Sequence, residues 1–196
     1  MASSELKSFY AKDRNAWRKW LEKNHAKSPG VWLIYYKKSS GNRRLEYSDA
    51  VEEALCFGWI DSTSRPIDDE KYMQRFTPRK PKSGWSALNK RRVQKMIEHN
   101  LMTKAGLEKI DEAKKNGAWK HLDHIEALKL PDDFEKALSK NKKAKINFEN
   151  FPQFTRKQFL YRINSAKRPE TRKERIKLLV KMAAANKKPT VEGFKL

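Results

Sequence analysis

A chain of 196 residues and 23.1 kDa is long enough to bury a sizeable core in one domain, or in one domain with a helical appendage. Its 45 Lys and Arg against 24 Asp and Glu leave a net charge of +21, a field that draws phosphates, anionic lipid headgroups and acidic proteins. A single cysteine excludes an intrachain disulfide and a multi-thiolate metal site, and no stretch nears the ~20 apolar residues that a membrane span needs, so a reduced, cytoplasmic setting is expected. The opening residues, MASSELKSFYAKDRNAW, lack the apolar centre of a secretion signal.

Ser8 or Asp13 can cap a first helix, expected over 8–24, in which Trp17, Trp20 and Leu21 fall on one apolar face. Ser28, Pro29 and Gly30 break it. The run VWLIYY that follows is aromatic and β-branched with little polar alternation, which predicts a central strand near 31–37, covered on both faces. Ser48, then Asp49, Glu52 and Glu53, open a helix over 48–57 with acids at the positive end of its dipole, and Gly58 closes it. Segments 58–64 and 71–77 read as two strands of a hairpin, ended by Pro78 and Pro81 because proline cannot donate to a ladder.

From Ser86 the period becomes helical. Leu88, Val93, Met96 and Ile97 line one helix, with Asn100 as its stop; Leu107, Ile110 and Ala113 line a second that starts at Thr103 and ends at Asn116 and Gly117. A polar connector over 119–129 leads to a helix after Pro131, a break over 147–152, a helix through Phe159 and Ile163, and a last one from Pro169 to about Ala185. Charge is uneven along this order: residues 139–196 hold 17 Lys and Arg against 4 Asp and Glu, and so +13 of the +21.

Four stretches in order, ALCFGWIDS (54–62), RFTPRKPKSGWSALN (75–89), NLMTKAGLEKIDEAKKNGAW (100–119) and AKRPETRKERI (166–176), resemble the YdeI/OmpD-associated, or bacteriocin-protection, family of bacterial proteins. The resemblance spans nearly the whole chain. It implies a small cytoplasmic protein with an α+β first part and a helical second module, linked to tolerance of antimicrobial peptides and envelope stress. It supplies no catalytic set and no cofactor. A protein of +21 repels cationic peptides, so their direct sequestration is disfavoured.

The residues with chemistry cluster between 50 and 89. Asp61 follows Trp59 and Ile60 in a half-buried strand, and a buried carboxylate needs a partner, for which Arg75 or Arg79 on the adjoining arm is the natural choice. Such a pair is either an internal ion pair or the wall of a polar pocket, with Ser62, Thr77, Trp59 and Trp85 completing it. The turn Arg79-Lys80-Pro81-Lys82-Ser83-Gly84 leads into a helix start at Ser86 and Asn89. It is an anion site if the helix amides and cations converge, and otherwise a solvated basic turn with Trp85 as a core plug.

Three further features read more plainly. Cys56 sits late in a helix, where the dipole opposes a thiolate, and reads as a packing cysteine. His121 and His124 lack a third ligand of fixed spacing, so no metal site is expected. Arg168, Arg172 and Arg175 form a stripe on the last helix that is either a solvated face or a phosphate contact.

The sequence therefore reads as α+β: a small antiparallel sheet packed by helices over 1–125, a basic helical module over 130–185 and a flexible tail over 186–196. Function is expected to be non-enzymatic binding of a small or anionic ligand by Trp59, Asp61, Ser62, Arg75, Thr77, Arg79, Trp85, Ser86 and Asn89, without cofactor or metal. One alternative is nucleic-acid binding through Arg168, Arg172 and Arg175. An acidic protein or an anionic membrane surface could also meet the basic module. A second alternative is an enzyme that uses Cys56 or the Asp61 and Ser62 pair.

Overall fold

Residues 6–42 and 44–189 are described by the computed structural model, in which the chain up to His121 and the chain from Leu122 form two units with separate apolar clusters. The first unit runs β1 (Ser8–Tyr10), α1 (Arg14–Asn24), β2 (Val31–Tyr36), α2 (Tyr47–Cys56), β3 (Trp59–Pro66), β4 (Lys71–Pro78), α3 (Ala87–Glu98) and α4 (Lys104–Lys115). The sheet order is β1-β2-β4-β3. It is antiparallel through its three longer strands, and β1 adds a parallel edge beside β2, so the fold is α+β with a mixed sheet. Ser8 lies in that edge strand, and the cap of α1 is Asp13, whose carboxylate accepts the Ala16 N–H at 2.8 Å.

One face of the sheet is core and the other is open. Val31, Leu33 and Tyr35 of β2 are buried and stand opposite Phe76, Gln74 and Tyr72, and Trp17 of α1 meets Phe76 at 5.3 Å between ring centres. Trp32, Ile34 and Tyr36 project from the other side and are only half-buried. This corrects the expectation of a strand covered on both faces: an unbroken apolar run hides the period of two that the backbone imposes.

Glu52 and Glu53 are not dipole ornaments. Glu53 is 2% exposed and accepts from Arg14 Nε at 2.6 Å and Arg18 Nη1 at 2.7 Å, while Glu52 meets Arg14 at 3.1 Å and Lys95 at 3.2 Å. The network ties α1 and α3 to α2 around charges that burial would otherwise make costly. At the far end of α2 the Thr103 hydroxyl and amide both donate to the Cys56 carbonyl, at 2.7 and 3.1 Å.

The second unit is helical: α5 (Asp123–Glu126), α6 (Asp132–Ser139), α7 (Lys142–Asn150), α8 (Gln153–Asn164) and α9 (Pro169–Ala184). Phe134, Phe148 and Phe159 meet at its centre, with Phe148 edge-on to the other two at 5.4 and 5.5 Å. Helix α7 occupies ground that sequence reading gives partly to a break, because its Lys and Asn residues leave only Ala144 and Phe148 buried; Asn141 caps it by accepting the Ala144 N–H. Of the expected tail, residues 190–196 lie outside the described residues. Among the described residues no helix is long and apolar enough to cross a membrane.

Candidate functional site

The register of β3 against β4 sorts the candidate residues. Asp61 stands opposite Phe76 on the core side of the sheet, at the end where α2 begins, and Ile60 stands opposite Thr77 on the open side. Arg75 also belongs to the open side, paired with Trp32, and is exposed. Trp59 is a core residue, 1% exposed, whose indole N–H donates to the His25 carbonyl at 3.1 Å. Ser62 is exposed, and its hydroxyl donates to the Arg75 carbonyl at 3.4 Å rather than to Asp61. Thus Trp59, Ser62, Arg75 and Thr77 do not join one site with Asp61.

Two small assemblies remain, linked by charge. In the first, the Asp61 carboxylate accepts the Tyr47 hydroxyl at 2.6 Å and the Gln74 amide at 3.5 Å; Gln74 also donates to the Ser62 carbonyl at 2.8 Å. The expected partners of Asp61, Arg75 and Arg79, make no hydrogen bond to it, because a phenol at the start of α2 reaches it first. Burial and the bond to Asp61 raise the Tyr47 phenol above its ordinary value, so it stays a donor. Tyr35, stacked on Tyr72 at 5.0 Å, is likewise raised by burial, and its hydroxyl is buried without a hydrogen-bond partner.

In the second assembly, Arg79 is 4% exposed and lies over the Trp85 ring, 3.8 Å from guanidinium carbon to ring centre. One nitrogen, Nη2, donates to the Gly84 carbonyl at 2.7 Å, which curls the basic turn around it. Nε and Nη1 are buried with no hydrogen-bond partner among the described residues. Burial pushes the guanidinium down to about 10, against the pull of the Asp61 charge. Beyond Trp85, the Ser86 hydroxyl caps α3 by accepting the Asn89 N–H at 3.2 Å, and the Asn89 carbonyl oxygen accepts from Arg92 at 3.1 Å. Sequence reading missed Tyr47, Gln74 and Tyr35: the first is distant in the chain and the others read as strand filling.

The remaining candidates carry structural duties. Cys56 is fully buried, and burial pushes its thiol up to about 12, which favours the protonated form. Arg172 grips Asp133 with two bonds, at 2.6 and 2.8 Å, and Arg175 donates to the Arg162 carbonyl and the Ser165 hydroxyl, each at 2.8 Å. Of the stripe on α9, Arg168 is exposed and the other two are half-buried, joining α9 to α6 and to the end of α8. His124 meets the Asn164 amide at 3.0 Å. Among the described residues no group of three His, Cys, Asp or Glu is placed to hold a metal.

Helices α6 to α9 fall within a match, over residues 127–186, to the family described as bacteriocin-protection, YdeI or OmpD-associated. Over that stretch the chain is similar to this family. Residues 9–109 match a separate description, a domain of unknown function (DUF8412), so the α+β unit and the helical unit carry distinct signatures. No curated protein and no solved structure matches the chain. The polar cluster of Tyr47, Asp61, Arg79 and Trp85 falls wholly inside the residues of the domain of unknown function.

Proposed function

We propose that this chain is a non-enzymatic cytoplasmic binding protein of the bacteriocin-protection kind, acting in tolerance of antimicrobial peptides or envelope stress through a small anionic ligand held at the Arg79 and Trp85 corner. The carrying observation is the Arg79 guanidinium, buried to 4% exposure with two N–H groups that nothing in the described chain accepts. Buried donors of this kind cost roughly 1–3 kcal/mol each when unmade, and an anion satisfies them with charge-assisted bonds. The turn that closes over the guanidinium is the segment that opens to admit it: Lys80, Pro81 and Lys82 are exposed, and among the described residues the turn's hydrogen-bond hold on the guanidinium is the Gly84 carbonyl. The net charge of +21 concentrates anions at the surface and argues against a cationic peptide as the ligand itself. A cytoplasmic setting agrees with one buried, unpaired cysteine.

Melting of the intact protein with inorganic phosphate, sulfate and citrate at low and physiological salt tests this, because a ligand of the native state raises Tm by mass action. A rise that survives salt and disappears in Arg79→Met is expected. Since Arg79→Met can lose stability of its own accord, Lys82→Ala, exposed in the same turn, is melted beside it and is expected to weaken the rise. An equal rise in all three proteins would remove the site.

A further inference from the structure

The face of the sheet turned away from α1 and α2 is neither core nor an ordinary polar surface. Trp32 and Tyr36 of β2 and Tyr10 of β1 share it with Arg65 of β3 and Lys71 and Arg75 of β4. The register puts rings and cations side by side: Trp32 stands opposite Arg75, and Tyr36 opposite Lys71. Arg65 lies 4.9 Å over the Trp32 ring, Lys71 lies 5.5 Å over Tyr36, and Tyr10 meets Tyr36 edge-on at 5.6 Å. Arg65 reaches this side through an irregularity. The pairing shifts between Asp61 and Ser64, so that Arg65 rather than Ser64 stands opposite Met73.

None of the strand positions on this face is acidic; among the described residues, Asp68 of the β3–β4 turn makes an ion pair with it, 3.6 Å from Lys71. All six of the named side chains are half-buried or exposed, with Tyr10 41% exposed. Folding alone does not require three large rings here, since the open face of an antiparallel sheet is ordinarily polar. What unites rings at strand spacing with cations between them is a ligand with flat faces and regular negative charge. A second copy of the chain would set like charge against like, and an acidic peptide would use the cations and leave the rings idle.

We propose that this face binds single-stranded nucleic acid, with bases stacked on Trp32 and Tyr36 and phosphates neutralised by Arg65, Lys71 and Arg75. Stacking of this kind tolerates any base, so the contact reads strandedness rather than sequence. It shares no residue with the Arg79 corner, and every residue of it belongs to the first unit.

The test is fluorescence anisotropy of the full-length chain with a labelled oligothymidylate and with an abasic strand of the same length, since the abasic strand reports everything that charge alone supplies. The oligothymidylate is expected to bind about tenfold more tightly or better. The double variant Trp32→Ala, Tyr36→Ala is expected to bring both strands to one affinity, and Arg75→Glu, at an exposed position, to weaken both. The anion site is read by the rise in Tm with inorganic phosphate and this face by the difference between the two strands, so failure here and failure of the anion site are told apart. Equal affinity of the wild-type protein for both strands overturns the proposal. So does an acidic peptide that binds in a manner dependent on Arg75 while the oligothymidylate shows no preference, which would make the face a protein-docking surface.

Discussion

Asp133 shows how a single contact converts charge into stability. The two N–H groups of Arg172 that it accepts hold its carboxyl below the usual aspartate range. A carboxyl lowered in the folded state adds stability that is complete above its unfolded value, near pH 4, and that disappears as pH falls through the folded value. Asp133→Asn is therefore expected to lower Tm at neutral pH, with the gap to the wild-type protein closing below about pH 4. Thermal melts of both proteins across that range check it, and a gap that persists unchanged at the acidic end would mean that packing, not charge, holds α6 to α9. Asp61 behaves differently, because its neighbour is a phenol: it accepts from Tyr47, and Arg79 feels its attraction without a hydrogen bond to it. The sequence places an acid, an arginine and a tryptophan close together, yet a phenol fourteen positions upstream decides the pairing.

Between elements, the tightest approach is that of α4 to the end of α2. A Cβ added at Gly106 would overlap the Cys56 carbonyl oxygen, which also receives both Thr103 bonds, so the backbone there has no freedom to yield. In an exposed helix, exchanging Gly for Ala adds up to about 1 kcal/mol. At Gly106 the sign is expected to reverse, with a net loss of about 1–3 kcal/mol from overpacking, read as a lower midpoint in urea. A Gly106→Ala protein as stable as the parent would show that α4 can slide. The neighbouring Gly58, at φ +72°, is legible in the sequence as the stop of α2; Gly106 is not, because a glycine inside a helical pattern carries no mark of what it faces. The same blindness affects β2. Its six residues announce a strand, while the half of them that faces solvent emerges only from the position of α1.

For the molecule as a whole, two apolar clusters mean two cooperative units. All six tryptophans lie in the first, so indole fluorescence reports that unit alone, whereas far-UV circular dichroism sees the helices of both. Phe159→Ala, at a fully buried position of the second cluster, is expected to cost about 3–5 kcal/mol there. The far-UV transition should gain an earlier step while the fluorescence midpoint stays in place. A fluorescence midpoint that falls in step would show the clusters to be thermodynamically one.

Taken alone, the sequence determines what is local or periodic. It sets the helix caps at Asp13, Ser86 and Thr103, the stop at Gly58, the hairpin of β3 and β4, the α+β class and the concentration of positive charge after residue 139. These follow from backbone chemistry within a few residues of each site, which a chain carries wherever it folds. Tertiary structure alone decides which faces meet. It separates Arg75 and Thr77 from Asp61 by the pleat of one strand, spends Arg172 and Arg175 on neighbouring helices, and leaves Trp32 and Tyr36 beside three cations on an uncovered sheet. Partners so distant in the chain are chosen by packing, and no local pattern encodes that choice.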